Sequence, residues 1–140
     1  MIIADQEATS VDPNAWAMLL DIHGNLAEGR GSNIFLVREG RLATPRARYV
    51  LPGISRQTVL ELAAELGIPC DETDLDHYDA YNADEAFLTS TSLCICPVHS
   101  INGSRIGSEQ VFGTISRRLI EAYVRLVDCD FVAQCCRRLG

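Results

Sequence analysis

The sequence predicts one domain of the mixed α+β (α/β) class, built on a mixed β-sheet. Its 140 residues are enough for a single domain with its own hydrophobic core. Short runs of apolar residues are separated by turns that contain glycine, which is typical of β-hairpins. These runs alternate irregularly with longer segments of helical spacing, so a purely parallel sheet is not expected.

Two hairpins are predicted in the first third of the chain. The segment AWAMLLDIHGNLAEG (15–29) reads as a strand, a turn at 23–25 and a returning strand. In SNIFLVREGRLATP (32–45), a strand over 34–37 precedes a turn at Glu39-Gly40 and a second strand. Glycine stands where each backbone reverses between two apolar runs, and this pattern indicates antiparallel pairing.

A helix is predicted directly behind Pro52-Gly53. Ser55 suits the N-cap position, and Gly67 is placed to end the helix. The apolar residues between them recur at helical spacing. They are Val59, Leu62, Ala63 and Leu66.

The middle of the chain continues the alternation of strands and helices. GIPCDETDL (67–75) predicts a short strand and a loop, and residues 78–84 predict a helical turn. Strands are predicted over 86–88 and over 93–98. A further hairpin turn is then predicted at Asn102-Gly103.

Both ends of the chain have helical character. MIIADQEA (1–8) looks like the middle of an amphipathic helix that has no cap in front of it. A longer helix is predicted from Thr114 to about Val127, because its apolar residues share one face. These are Leu119, Ile120, Tyr123, Val124 and Val127.

Charge and composition argue against nucleic-acid and membrane functions. The net charge is -7, whereas a nucleic-acid surface needs clustered basic residues. No run approaches the roughly 20 apolar residues of a membrane-spanning helix. The N-terminal segment carries acidic residues where a signal peptide would carry basic ones, so a cytoplasmic protein is expected.

The cysteines and histidines do not form a metal-binding pattern. Cys94 and Cys96 share one face of a predicted strand, while Cys135 and Cys136 are adjacent. No Cys-x₂-Cys pair is followed by a second pair at zinc-site spacing, and the 3 histidines are scattered. We therefore predict buried, reduced thiols and no metal site.

Two segments are candidate anion sites. Behind Pro52-Gly53, the N–H groups from about Ile54 to Gln57 have no intrahelical partner, and the helix dipole favours an anion there. Gly53 would let the backbone approach that anion closely. The hydroxyl residues of LTSTS (88–92) could hold a phosphate too, although such residues more often satisfy the backbone of their own turn.

A third candidate is Glu28, in the segment LAEGRGSN (26–33). A carboxylate at the inner end of a hairpin can pair with a protonated ring nitrogen of a cofactor. The alternative interpretation is a surface acid beside Arg30. Each of the three features has such an ordinary interpretation when it is considered alone.

Together, the three features resemble one family. The segments LLDIHGNLAEGRGSNIFLV, TPRARYVLPGISRQTVLELAAELGI, ADEAFLTSTSLCICPV and INGSRIG are similar in order and spacing to the C-terminal domain of class IV aminotransferases. These are fold-type-IV pyridoxal-phosphate enzymes, which include branched-chain and D-amino-acid aminotransferases and aminodeoxychorismate lyase. The resemblance implies a mixed-sheet pseudo-barrel with flanking helices, and usually a homodimer.

The resemblance also implies a role for each candidate residue. Glu28 matches the acid that keeps the pyridine nitrogen protonated, and Leu51 matches a leucine against one face of the ring. The residues that match the phosphate-binding groups are Gly53, Ile54, Ser55, Ser90 and Thr91. Ser92 matches a position on the substrate side.

The family's Schiff-base lysine is absent, since all 12 basic residues of the sequence are arginine. Arginine cannot replace it, because its guanidinium stays protonated. We therefore expect that this chain has no catalytic residue and is an inactive, truncated aminotransferase. Residues 1–18 would be a remnant of the interdomain region that carries the catalytic lysine, and residues 19–140 would be the C-terminal domain. The alternative is a non-catalytic module that binds pyridoxal phosphate or mediates dimerisation. The sequence does not determine which amino acid or keto acid is the substrate, or whether the activity is that of a transaminase or of a lyase.

Overall fold

The structure, a computed structural model, describes residues 2–108, 110 and 112–139. Its helices are α1 (Ile2–Val11), α2 (Ile54–Glu65), α3 (His77–Tyr81), α4 (Thr114–Val127) and α5 (Phe131–Leu139), with a 3₁₀ turn at Ala47–Tyr49. Its strands are β1 (Met18–Leu20), β2 (Leu26–Gly29), β3 (Ser32–Arg38), β4 (Arg41–Pro45), β5 (Cys70–Thr73), β6 (Glu85–Ser90), β7 (Cys94–Pro97), β8 (Ser100–Ile101) and β9 (Ser104–Arg105). Within this described part of the chain, no helix is both long enough and apolar enough to cross a bilayer.

The main sheet is mixed and branches at β3. Strands β1 to β5 follow one another in order, and among the strands of the described residues only the β4–β5 pair is parallel. One edge of β3 pairs with β2 near the start of the strand and with β4 near its end. The other edge pairs with β6, and β6 pairs in turn with β7. The predicted mixed sheet is therefore confirmed, and β3 is its central strand.

The core lies on both faces of β3. Successive strand residues point to opposite faces, so Phe35 and Val37 face α2 and α4, whereas Ile34 and Leu36 face the side of α3. On the α2 face, the rings of Phe35 and Phe87 stack with centroids 5.1 Å apart. Both faces of the central strand are thus buried, which explains its continuous apolar run.

Two predicted hairpin turns are confirmed in their backbone geometry. Glu39 and Gly40 have φ values of 51° and 74°, and Asn102 and Gly103 have values of 50° and 76°. Two successive positive φ angles are typical of type I′ turns, whose twist matches that of the flanking strands. Glu39 adopts this backbone while its N–H donates to Asp84 Oδ2 at 2.7 Å.

Helix α2 ends as predicted but begins two residues earlier than an N-cap at Ser55 would give. Gly67 has a φ of 66°, and its N–H donates to Ala64 O while that of Ile68 donates to Ala63 O, which is the Schellman pattern. The N-cap, however, is Gly53, and Ser55 lies inside the first turn. The predicted Ser55 N-cap is wrong, because the backbone of Gly53 already forms the cap without a side chain.

Three other elements differ from the predictions. Helix α3 begins at His77 rather than at 78 and ends at Tyr81, because Asp76 and Asp79 form a capping box at its start. Strand β6 is longer than predicted and reaches Ser90. Helix α5 was not predicted, since it is short and follows α4 almost directly.

The thiols differ in exposure. Cys70, Cys94 and Cys96 are half-buried, whereas Cys129 and Cys136 are exposed. The prediction of buried thiols is therefore wrong for the two C-terminal residues, which lie just after α4 and on α5. The side chain of Cys135 lies outside the described residues.

Burial raises the pKa of the Cys70 thiol to about 11. Because only the thiolate is a strong nucleophile, we expect Cys70 to resist iodoacetamide at pH 8 while exposed Cys129 and Cys136 react. Peptide mass spectrometry after timed alkylation measures each rate, and denaturant serves as the positive control for Cys70. Equal rates at Cys70 and Cys129 in the folded protein would contradict this expectation.

Candidate functional site

Glu28, Asn33 and Thr89 form a row across three neighbouring strands. Glu28 on β2 is opposite Asn33 on β3, and Asn33 is opposite Thr89 on β6. Directly opposed residues point to the same face of a sheet, here the face that also carries Phe35 and Phe87 and packs against α2. Two strand spacings separate the ends of the row by roughly 10 Å. Half-buried Glu28 therefore lies on the same side of the sheet as α2.

The turn at residues 51–53, which leads into α2, is held by this row. The Leu51 N–H donates to Glu28 Oε2 at 2.8 Å, and Leu51 O accepts from Asn33 Nδ2 at 3.0 Å. Leu51 O also accepts from the Gly53 N–H at 2.8 Å, which closes a γ-turn centred on Pro52. The ring of Pro52 suits that turn, because it restricts φ to about -65°. Glu28 and Leu51, both predicted site residues, are thus in direct contact.

Gly53 is required by a neighbour within the chain. Its φ of -65° and ψ of 143° are accessible to any residue, so its backbone does not demand glycine. A Cβ at this position, however, would lie 2.5 Å from Asn33 Oδ1. Gly53 is predicted to allow the close approach of an anion, whereas the neighbour that the structure places against it is Asn33.

The first turn of α2 presents N–H groups without a helical partner. The first intrahelical bond runs from the Gln57 N–H to Gly53 O at 2.9 Å, so the prediction of a free amide at Gln57 is wrong. The amides of Ile54, Ser55 and Arg56 precede that bond. The side chain of Ile54 is exposed, whereas that of Ser55 is buried. These groups, together with the helix dipole, form a surface that favours an anion.

The hydroxyl turn, residues 90–92, lies at the end of β6, directly after Thr89. Ser90 Oγ accepts from the Leu93 N–H at 3.1 Å and lies 3.3 Å from Ser92 Oγ. Ser90 thus supports the backbone of its own turn, as the alternative interpretation expects. Thr91 and Ser92 are exposed, and within the described chain no hydrogen bond joins this turn to the start of α2.

The row offers one unpaired hydroxyl and one carboxylate oxygen that no donor of the described chain uses. Thr89 Oγ1 is buried and has no hydrogen-bond partner among the described residues. It shares its face of the sheet with Asn33. At the other end of the row, Glu28 uses Oε2 for Leu51, and Oε1 has no donor in the described part of the chain. Donors at one end and a carboxylate oxygen at the other fit the phosphate and ring nitrogen of pyridoxal phosphate.

Two buried polar residues beside the site, Asn33 and Arg56, are not among the predicted site residues. Asn33 is 5% exposed, and the only signal for it was an amide side chain directly before the apolar run IFLV. Arg56 is 3% exposed, and its Nη2 donates to Pro45 O at 3.0 Å and to Glu72 Oε2 at 2.6 Å. Nothing local distinguishes this arginine from a solvent-exposed helix residue.

Comparisons with known proteins agree with the expected family. The branched-chain-amino-acid aminotransferase of Pseudomonas aeruginosa is 40% identical over 126 residues, which cover 90% of this chain and 40% of that protein. The branched-chain amino acid aminotransferase structure from Escherichia coli is 35% identical with a TM-score of 0.83, over 89% of this chain and 42% of that one. A second structure, the T.th. branched-chain amino acid aminotransferase complexed with N-(5'-phosphopyridoxyl)-L-glutamate, is 34% identical with a TM-score of 0.82, over 89% of this chain and 40% of that one.

The chain therefore spans about two fifths of the length of the relatives that it matches. The structural similarity confirms the expected fold, a mixed-sheet pseudo-barrel with flanking helices like that of the large C-terminal domain of fold-type-IV enzymes. Residues 1–101 also match the sequence model of the family described as amino-transferase class IV. This match covers most of the chain, and the protein belongs to the class IV aminotransferase family.

Proposed function

We propose that this chain is the cofactor-binding part of a pyridoxal-phosphate-dependent branched-chain aminotransferase. The observation that carries the proposal is the row of Glu28, Asn33 and Thr89, which places a carboxylate and the free amides of α2 on one face of the sheet. A related structure contains N-(5'-phosphopyridoxyl)-L-glutamate, an adduct of this cofactor with an amino acid. An amino-acid or keto-acid substrate is part of the same proposal.

Each predicted residue receives a task under this proposal. The Glu28 carboxylate holds a proton on the ring nitrogen through Oε1, while Oε2 keeps Leu51 in place. The Leu51 side chain, which is 70% exposed, covers one face of the ring. The amides of Ile54 and Ser55 bind the phosphate. Bound in this way, the cofactor supplies an electron sink for the α-carbon of a substrate.

The hydroxyl turn completes the phosphate site. The Thr91 hydroxyl is exposed and can donate to the phosphate, and Ser90 shapes the turn by accepting from the Leu93 N–H. Ser92 lies on the substrate side. Gly53 contributes by leaving room for Asn33. Under this proposal the α2 amides and the Thr91 hydroxyl hold the phosphate from two separate elements.

Binding to this chain is non-covalent, since the sequence contains no lysine. A transaminase also needs a base that moves a proton at the α-carbon, and that task falls to a lysine in the family. We therefore propose that this chain alone binds the cofactor without completing transamination. The alternative, a non-catalytic binding or dimerisation module, shares the binding step. Homodimerisation and a cytoplasmic location stay predictions.

We expect pyridoxal phosphate to raise the melting temperature, because a ligand that binds only the folded state stabilises it. Borohydride is expected to trap no side-chain adduct.

Glu28→Gln keeps an acceptor for Leu51 but removes the charge at the ring nitrogen, so the affinity for pyridoxal phosphate should fall roughly 10- to 100-fold. Isothermal calorimetry measures this, with Glu65→Gln on the exposed end of α2 as the control.

The result for inorganic phosphate separates the two ends of the site. Glu28→Gln should leave phosphate affinity within about twofold of the unmodified chain, because the lost charge faces the ring and not the phosphate. If neither pyridoxal phosphate nor inorganic phosphate changes the melting temperature, the proposed cofactor site is wrong. If both ligands weaken equally in Glu28→Gln, the carboxylate has been assigned to the wrong end.

A further inference from the structure

The turn at residues 51–53 is held by hydrogen bonds rather than by apolar burial. Leu51 is 70% exposed, and the side chain of Pro52 is also exposed. Little hydrophobic contact therefore fixes the segment that sets the start of α2. The main-chain groups of Leu51 are instead bound on both sides, by Glu28 Oε2 at 2.8 Å and by Asn33 Nδ2 at 3.0 Å.

Asn33 contacts the turn at both ends of its amide. Its Nδ2 donates to Leu51 O, while its Oδ1 occupies the space where a Cβ of residue 53 would lie. The amide therefore spans from Leu51 to Gly53, across the γ-turn at Pro52. The residue that follows Gly53 begins α2, so Asn33 contacts the segment that leads directly into the first amides of the helix.

Asn33 is itself immobilised by the sheet. It is 5% exposed and lies in β3 between Glu28 on one side and Thr89 on the other. A buried side chain in the central strand of a sheet has little freedom to follow movements of the turn at residues 51–53. The amide thus transmits the position of the sheet to the turn.

We propose that Asn33 is a positioning residue, which sets the affinity of the α2 amides for a phosphate group without touching that group. The inference rests on the proposed function, because it requires a phosphate at the start of α2. The physical reason is preorganisation: amides that already point at the ligand lose less conformational entropy when they bind it. Without Asn33, the turn keeps its γ-turn bond and the Glu28 bond but loses its second attachment to the sheet.

The first test measures the affinity for inorganic phosphate by calorimetry in Asn33→Ala. Loss of one hydrogen bond that orders the site should weaken binding between about threefold and tenfold. The matched control is Thr44→Val, which removes another buried side-chain bond, from Thr44 Oγ1 to Ile34 O at 2.7 Å. Thr44→Val should lower the melting temperature as Asn33→Ala does, but leave phosphate affinity within about twofold.

The outcomes separate this inference from the proposed function. If the unmodified chain binds phosphate and Asn33→Ala binds it equally well, Asn33 does not position the site and only the inference is overturned. If the unmodified chain binds neither phosphate nor pyridoxal phosphate, the proposed function is overturned as well. Should Asn33→Ala fail to fold, Asn33→Ser, which keeps a polar group in the pocket, is measured by the same criteria.

A second test uses the contact with Gly53. Gly53→Ala should lower the melting temperature, because the new Cβ would collide with Asn33 Oδ1 at 2.5 Å. In the Asn33→Ala background the space is free, so the same substitution should cause a clearly smaller decrease. Equal decreases in the two backgrounds would show that the two residues do not touch and would overturn the inference.

Hydrogen exchange supplies a readout that needs no ligand. Peptides that cover residues 51–57 should exchange faster in Asn33→Ala than in the unmodified chain, whereas those from α4 should be unchanged. Thr44→Val should leave the 51–57 exchange rate unaltered. Unchanged exchange at 51–57 in Asn33→Ala would also overturn the inference.

Discussion

Glu72→Ala is expected to lower the free energy of unfolding by about 3 kcal/mol, because it leaves a buried guanidinium without its anion. The Arg56 side chain is 4% exposed, and its Nη2 lies 2.6 Å from Glu72 Oε2. Its remaining acceptor is Pro45 O at 3.0 Å, and its Nε is buried without a partner in the described chain. The value is at the lower end for a broken buried pair because the Glu72 side chain is 45% exposed.

Removing the other partner of this ion pair should destabilise the protein less. Arg56→Met leaves a carboxylate that can return to water, so we expect a loss of about 1 to 2 kcal/mol, mostly from the unpaired Pro45 carbonyl. The double variant Arg56→Met/Glu72→Ala should resemble Arg56→Met alone, since the two residues share one interaction. Urea denaturation measures all three. If Arg56→Met destabilises more than Glu72→Ala, the burial of the charge is not the cause.

An exposed ion pair in the same sheet serves as the control for this comparison. Arg41 and Asp71 lie 2.9 Å apart with side chains 56% and 57% exposed. Asp71→Ala should change the free energy of unfolding by less than about 0.5 kcal/mol, because exposed pairs contribute little. The contrast tests burial rather than position, since Asp71 and Glu72 are neighbours on β5.

Glu85→Ala is expected to lower the free energy of unfolding by about 2 to 3 kcal/mol, because Glu85 caps α4 from a different element. Its Oε1 accepts from the Ile115 N–H at 2.9 Å, and its Oε2 accepts from the Ser116 N–H at 2.8 Å and from Ser116 Oγ at 2.6 Å. The N-cap residue, Gly113, offers no side chain for this purpose. Charge-assisted bonds at a helix N-terminus are among the stronger ones in proteins.

Thermal and urea unfolding measure this effect, with Glu121→Ala on the exposed face of α4 as the control. The control should stay within about 0.5 kcal/mol of the unmodified chain. Gly113→Ala should also destabilise, because a Cβ there would overlap the Glu85 side chain. A Glu85→Ala variant as stable as the control would mean that α4 begins without help from β6.

Local features were predictable because the residues that create them are adjacent. The type I′ turns at Glu39-Gly40 and Asn102-Gly103 follow from pairs of residues, and the end of α2 follows from Gly67. The span of α4 follows from apolar spacing within one segment. The start of α3 was shifted for the same kind of reason, since its Asp76 capping box is also local but was not recognised.

The sequence by itself determined the mixed α+β class, the order of most elements and the family, and it nominated residues for the candidate site. Only the tertiary structure decided how those residues meet. The bond from Asn33 to Leu51 joins residues 18 apart, that from Arg56 to Glu72 joins residues 16 apart, and that from Ser116 to Glu85 joins residues 31 apart. Each depends on strand register and helix packing, which minimise buried unpaired groups across the whole domain and leave no mark on neighbouring residues.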